Sequence, residues 1–127
     1  MRTLLITSLI LFSHTCFGQL IKDEIILIET SEGNITIHLD AKRAPITVDN
    51  FIDLIESDYF DGSIFHRVIE NFMIQGGGFD SELNDLESLE TIPNESGNGL
   101  SNLRGTIAMA RTSDPHSANA QFFINTK

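Results

Sequence analysis

The segment FHRVIENFMIQGGGF, residues 65–79, places one arginine in a strand-like apolar run and follows it with an amide and three glycines. Successive side chains of a strand point to opposite faces, so Arg67 shares its face with Phe65 and Ile69, while His66 lies on the other. A buried arginine without a partner costs a great deal of free energy. The face that carries Arg67 is therefore predicted to be a solvated wall or a pocket.

Two further runs of strand length, GTIAMAR and AQFFINT, flank the polar segment TSDPHSAN near the end of the chain. The same alternation pairs Gln121 with Phe123 and leaves Phe122 for the opposite face, and it pairs Met73 with Gln75 in the first segment. Each of these faces combines an apolar side chain with one polar side chain. Together they predict a shallow apolar groove with a few fixed hydrogen-bonding groups, which suits extended peptides or small ligands.

Upstream of these strands the sequence predicts a hairpin and one helix. The runs EIILIET and ITIHLD are rich in β-branched residues and are separated by a turn that contains a glycine, which is a hairpin signal. In the following APITVDNFIDLIES, Pro45 marks the helix start, Thr47 is a candidate N-cap, and the helix is expected to end near Ser57. The apolar face of this helix is predicted to consist of Val48, Phe51, Ile52 and Ile55.

Acidic side chains dominate the rest of the chain. Residues 80–95 carry six acids and no base, which predicts a long solvated loop, with a helical turn at SELNDLESL. The whole chain has a formal net charge of −10. Such a charge repels phosphate groups, so nucleic acid and anionic membrane surfaces are excluded as partners.

The first residues have the layout of a secretory signal peptide, since Arg2 precedes an apolar run and small residues follow at Cys16 and Gly18. Cleavage after Gly18 would give a signal peptide, residues 1–18, and one mature domain, residues 19–127, in the periplasm or outside the cell. An uncleaved anchor is the alternative, and after cleavage no membrane span is expected. Cleavage also removes the only cysteine, so the mature domain can form no disulfide and has no thiolate nucleophile.

The segments quoted above carry a family resemblance. FHRVIENFMIQGGGF and GTIAMARTSDPHSANAQFFINT resemble the two signature blocks of the cyclophilin family of peptidyl-prolyl cis-trans isomerases, and the helix segment before the first block is similar to the family's helix. The forms MART and PHSA are similar to the single-domain bacterial branch. The resemblance extends from about residue 25 to residue 126, which is nearly the whole predicted mature chain.

The resemblance implies an all-β fold, namely an antiparallel eight-stranded β-barrel with capping helices, a packed interior and a substrate groove on the outer wall. Cyclophilins continue beyond the strand that carries Phe123, whereas this sequence ends at Lys127. We therefore expect an incomplete domain that lacks the last strand or strands and the C-terminal helix.

The resemblance also implies the site residues, position by position. The catalytic pair is Arg67 and Gln75. The substrate-binding residues are His66, Phe72, Met73, Ala110, Arg111, Gln121 and Phe123. Arg111 replaces an asparagine that is common elsewhere in the family, where the contact is largely through the backbone. Taken alone, apolar strand residues such as Phe72, Met73 and Phe123 are more often core than pocket, and only the resemblance assigns them to the pocket for the substrate proline ring.

The implied activity is acceleration of X-Pro bond rotation in exported or folding proteins. The expected partners are proline-containing peptides and unfolded protein clients, and the protein is expected to act as a monomer. No cofactor is expected, and no metal site either, because the four histidines are scattered without ligand spacing. The sequence leaves open a second class of function, a non-catalytic proline-peptide binding module or chaperone built on the same barrel.

Overall fold

The computed structural model describes residues 24–127, and the described chain begins with an antiparallel hairpin. Strand β1 (Glu24–Thr30) pairs with strand β2 (Gly33–Leu39) along the whole length of both. The Thr30 hydroxyl closes the turn, since it donates to the Gly33 carbonyl at 2.7 Å and accepts from the Glu32 N–H at 3.1 Å. The predicted hairpin is confirmed. The predicted signal peptide, residues 1–18, lies outside the described residues.

Helix α1 (Pro45–Glu56) follows the hairpin and buries one face. The predicted start at Pro45 and the predicted end near Ser57 are confirmed. The buried residues are Val48, Phe51 and Leu54, whereas Ile55 is 37% exposed. The prediction that Ile55 belongs to the buried face is therefore wrong, because the helix turns Leu54 toward the core in its place.

A distant carboxylate caps the start of α1. The predicted cap, Thr47, already lies inside the first turn, so that prediction is wrong, and Ala44 at the N-cap position provides no side-chain bond. Proline has no N–H, so the first free donors of the helix are those of Ile46 and Thr47. Both donate to the carboxylate of Glu95, at 3.0 and 2.7 Å. Glu95 thus satisfies two unpaired donors and places a negative charge at the positive end of the helix dipole.

Replacing Glu95 with alanine should lower the free energy of unfolding by about 1 to 2 kcal/mol, because two charge-assisted hydrogen bonds and a favourable dipole interaction are lost. Urea denaturation measures the change. Glu90→Ala is the matched control, since Glu90 is an exposed acid of the same loop and makes no hydrogen bond there. Equal midpoints for the two variants would contradict the capping role.

Four short strands form the second sheet, which carries the candidate site. They are β3 (Arg67–Ile69), β4 (Met73–Gly76), β5 (Ile107–Met109) and β6 (Phe122–Asn125). All neighbours are antiparallel and the spatial order is β3-β4-β6-β5. Arg67 lies opposite Gln75, Gln75 opposite Phe123, and Phe123 opposite Ala108. Directly paired residues share a face, so these four form one row across the sheet.

The other face of this sheet packs on the core. Phe122 is only 5% exposed, and its ring meets the rings of Phe51, Phe60 and Phe65 nearly at right angles, with centroids 5.4, 5.6 and 5.9 Å away. Edge-to-face contacts of this kind are favourable beyond simple burial. The predicted separation of Phe122 from Phe123 is confirmed. The remaining buried members of this core are Ile37, Leu39, Ala41 and Val48.

The loop that follows β4 is largely exposed, as predicted, but the predicted helical turn at residues 81–89 is wrong. The carboxylate of Asp80 accepts from the N–H groups of Glu82 and Asn84, at 2.8 and 3.0 Å, and the Asn84 side chain donates to it as well. A short acidic side chain in this position competes with the helical pattern of bonds. The hydrogen bonds from Asn84, followed by the one from Glu82, also hold the pKa of Asp80 below its usual value.

The described chain is mostly β, with one helix, which confirms the all-β prediction. Residues 24–127 contain six strands in two sheets, and a closed eight-stranded barrel with several capping helices is not seen among them. No helix in this part of the chain is long and apolar enough to cross a membrane.

Candidate functional site

One open cleft, with a volume of about 1030 Å³, runs along the four-residue row of the second sheet. Strand β2, helix α1 and several loops complete its walls, with Ile37, Val48 and Glu95 among the lining residues. Seven of the nine site residues named from the sequence line this cleft, namely Arg67, Phe72, Met73, Gln75, Ala110, Arg111 and Phe123. Residues from the two signature segments therefore meet in one place.

A chain of hydrogen bonds fixes the polar part of the cleft. Arg67 Nη1 donates to Gln75 Oε1 at 3.1 Å, and Gln75 Nε2 donates to Gln121 Oε1 at 2.9 Å. Because a guanidinium only donates, Gln75 must turn its oxygen toward Arg67, and the bond from Gln75 Nε2 to Gln121 then holds the amide in that position. Gln121 does not line the large cleft, so its part in this arrangement is to hold Gln75.

Arg67 is exposed and keeps most of its donors free for a ligand. Among residues 24–127 it has no carboxylate partner, and its hydrogen bond to Gln75 engages only Nη1. Arg43, which also lines the cleft, does have a carboxylate partner, since its Nε lies 2.6 Å from Asp40 Oδ2. The side-chain hydrogen bond from Arg43 holds the pKa of Asp40 below its usual value. The cleft thus presents a positioned guanidinium in a strongly acidic protein.

Apolar side chains beside Arg67 form a wall and a floor. Phe72 is 52% exposed at the β3–β4 turn, where its N–H donates to the Ile69 carbonyl at 3.1 Å and its carbonyl accepts from Thr126 at 2.9 Å. Phe123 is half-buried, and Met73 is only 2% exposed. Phe72 and Phe123 can therefore contact a ligand ring directly, and Met73 supports them from below.

The backbone at Ala110 and Arg111 forms the far side of the cleft. Strand β5 is an edge of the described sheet, and its ladder continues past Met109 because the Ala110 N–H donates to the Gln121 carbonyl at 2.8 Å. An edge strand offers unpaired backbone groups to an extended peptide. The Arg111 side chain is exposed and makes only a long contact, 3.4 Å, with the Thr112 carbonyl.

His66 precedes strand β3 and does not line the cleft. Its ring packs on the ring of Phe79 with centroids 4.6 Å apart, and its buried Nδ1 has no hydrogen-bond partner among the described residues. This arrangement gives no support to the predicted substrate contact of His66. The predicted common face of Phe65 and Arg67 is wrong, because β3 begins only at Arg67 and the ring of Phe65 packs on Phe122 in the core.

Sequence reasoning did not identify Glu95, which lines the cleft and caps α1. No local pattern marks it, because its partners lie 48 and 49 residues earlier in the chain. Gly78 was also missed, because nothing in the run of three glycines distinguishes it from its neighbours. Gly78 and Gln121 line a smaller cavity of about 200 Å³.

Comparison with known proteins gives one consistent family. The sequence profile described as "Cyclophilin type peptidyl-prolyl cis-trans isomerase/CLD" matches residues 25–127. The chain is 53% identical over 100 residues to peptidyl-prolyl cis-trans isomerase A of Dickeya dadantii, covering 79% of this chain and 53% of that protein. It is 53% identical over 96 residues to isomerase B of Escherichia coli, covering 76% and 58%. The chain thus spans between half and three-fifths of these two relatives.

Solved structures agree on the fold. A cyclophilin-type isomerase from Cryptosporidium parvum, solved in the presence of the dipeptide Ala-Pro, matches with a TM-score of 0.70 and 28% identity, covering 82% of this chain and 68% of that one. Cyclophilin AquaCyp293 from Hirschia baltica matches in fold with a TM-score of 0.69, over 80% and 56% of the two chains, at 23% identity.

Proposed function

Because the chain belongs to the cyclophilin family of peptidyl-prolyl cis-trans isomerases, we propose that its cleft accelerates rotation about X-Pro peptide bonds. The observation that carries the proposal is the row of Arg67, Gln75 and Phe123, which sets an anchored guanidinium beside an aromatic wall. The substrates are proline-containing peptides and unfolded proteins. The Ala-Pro dipeptide named with the Cryptosporidium relative agrees with this substrate class.

The reaction makes and breaks no covalent bond. Amide resonance opposes rotation with a barrier of about 18 to 20 kcal/mol, so the uncatalysed change takes tens to hundreds of seconds. A catalyst must bind the twisted amide better than either planar form. In the twisted amide the proline nitrogen is pyramidal and carries a lone pair, which can accept a hydrogen bond that the planar amide cannot.

Arg67 is the donor to that nitrogen. A charge-assisted hydrogen bond contributes roughly 1.5 to 3 kcal/mol, which corresponds to about 10- to 150-fold in rate. Phe72 and Phe123 hold the proline ring while the preceding carbonyl swings. The edge of β5 near Ala110 aligns the substrate backbone, so the peptide is held on both sides of the rotating bond.

Two wider features of the proposal rest on the family and on the leader sequence. We infer that the two described sheets are parts of an antiparallel eight-stranded barrel, which the fold of the solved relatives supports. We also infer that residues 1–18 are a signal peptide and that residues 19–127 act, as a monomer, in the periplasm or outside the cell.

The export inference predicts that the secreted protein begins at Gln19. N-terminal sequencing of protein from the periplasm or the medium checks it. A product that stays in the cytoplasm and still starts at Met1 would contradict it.

The activity is tested on the full 127-residue chain with a short X-Pro peptide, by NMR exchange between the cis and trans peptide resonances. Exchange much faster than the uncatalysed rate is expected. Peptide shifts that change on binding without faster exchange would favour the non-catalytic binding module. If the peptide shows neither faster exchange nor changed shifts, both functions are contradicted.

A further inference from the structure

The adjacent glycines 77 and 78 have different neighbours. Gly77 lies against the aromatic core, whereas Gly78 lies against Gln121, which belongs to the hydrogen-bond chain of the site. A Cβ atom on Gly78 would lie 2.5 Å from both Cδ and Nε2 of Gln121 and 2.8 Å from its Cγ. These are far inside van der Waals contact, so the Gln121 side chain occupies the space that a side chain at position 78 would need. The backbone of Gly78 is outside the left-handed region, and an L-residue could adopt its conformation.

Gly77 is constrained by the fold instead. Its φ is +78°, which disfavours any side chain, and a Cβ there would lie 2.9 Å from the ring of Phe60, 3.0 Å from the Ala120 carbonyl and 3.1 Å from the ring of Phe122. A substitution at Gly77 therefore strains the backbone and the aromatic core. A substitution at Gly78 would instead displace one polar side chain, that of Gln121, which can move to another rotamer.

That polar side chain is the last member of the hydrogen-bond chain at the site. Gln121 lies over Gly78 with its Oε1 accepting from Gln75 Nε2, and Gln75 Oε1 in turn accepts from Arg67. A glutamine side chain has several rotatable bonds, and one held conformation costs rotamer entropy. The absent side chain of residue 78 creates the slot in which this one conformation is retained.

We propose that Gly78 is a positioning residue of the Arg67 site: by leaving room for Gln121, it fixes the amide of Gln75 and thereby the direction of the guanidinium. The inference rests on the proposed function and deepens it. Gly78 does not line the large cleft, so it acts on a peptide only through Gln121 and Gln75.

The Gly78→Ala variant tests the proposal in the full chain. The methyl group should push Gln121 out of its slot and break its bond to Gln75, so kcat should fall roughly three- to tenfold, the effect of one lost hydrogen bond. KM should change less than kcat, because the apolar wall is untouched, and the melting temperature should stay near that of the wild type. Gly77→Ala is the matched control, and it should lower the melting temperature clearly.

A double-mutant cycle separates this mechanism from a general disturbance. Gln121→Ala empties the slot, so adding Gly78→Ala in that background should cause no further loss of kcat. Losses that multiply in the double variant would show that Gly78 acts independently of Gln121 and would overturn the proposal.

A spectroscopic readout keeps the test independent of turnover. The side-chain amide resonances of Gln75 and Gln121 and the Nε resonance of Arg67 should all shift in Gly78→Ala and exchange their protons faster with solvent. If the wild type shows no isomerase activity, the proposed function fails, yet these spectra still decide the role of Gly78. Unchanged Gln75 and Arg67 resonances in the variant would overturn it.

Discussion

Replacing Arg67 with alanine should lower kcat/KM on an X-Pro peptide by about tenfold or more, because the charge-assisted hydrogen bond to the twisted amide is lost. The melting temperature should barely change, since the side chain is exposed and, within residues 24–127, its only hydrogen bond runs to Gln75. Turnover is measured by the same NMR exchange experiment, and stability by thermal unfolding.

Two further variants sharpen this result. Arg67→Lys should not restore turnover, because a point charge on a flexible stem lacks the planar fork that Gln75 orients. Lys42→Ala removes the same unit of charge from an exposed position outside the cleft and should retain full turnover. Unaltered turnover in Arg67→Ala would remove this residue from the mechanism, and an equal loss in Lys42→Ala would indicate a general effect of charge.

The second large effect is expected from the neighbouring phenylalanines of β6. Phe122→Ala removes a ring that contacts three other rings in the core, and such a change costs about 3 to 5 kcal/mol. A domain of this size is stable by only about 5 to 15 kcal/mol, so the variant should lose a large share of its stability and unfold at a clearly lower urea concentration. Urea denaturation followed by circular dichroism measures the loss.

Phe123→Ala is the matched partner, because it removes the same ring from the next position of the strand. Phe123 lines the cleft and is only half-buried, so its loss should cost about 1 kcal/mol of stability while KM rises several-fold. Equal stability losses in the two variants would contradict the assignment of the two rings to core and cleft.

Local patterns predicted the hairpin, helix α1 and the strand-like segments of the second sheet. Period-two alternation separated Phe122 from Phe123, and helical periodicity with Pro45 located α1 within a residue of its observed ends. Alternation failed for Phe65, because β3 begins only at Arg67 and Phe65 packs on Phe122. The family resemblance then indicated which of these faces is the site, which alternation alone could not do. Seven of the nine residues so named line one cleft.

Two of the features that the sequence did not predict depend on contacts between distant segments, and a third depends on local hydrogen bonds. Thr47 had the right residue type for a cap, but Glu95 from a loop occupies the donors that a local cap would have used. The predicted helical turn at residues 81–89 does not form, because the Asp80 carboxylate accepts from the N–H groups of Glu82 and Asn84. The role of Gly78 depends on Gln121, 43 positions away, whose rotamer no local pattern determines.

The register of β6 places the ring of Phe122 in the core and the ring of Phe123 in the cleft. A strand displaced by one residue turns every side chain to the opposite face, so a single insertion before Phe122 would move Phe123 into the core and Phe122 into the cleft. Both positions carry the same residue, and the swapped strand would therefore be nearly as apolar on each side as the native one. Gln75 would then lie opposite Phe122, in the place that Phe123 occupies in the native register. A change in the length of β6 is therefore expected to disturb the core and the cleft together, whereas a substitution at Phe123 concerns the cleft alone.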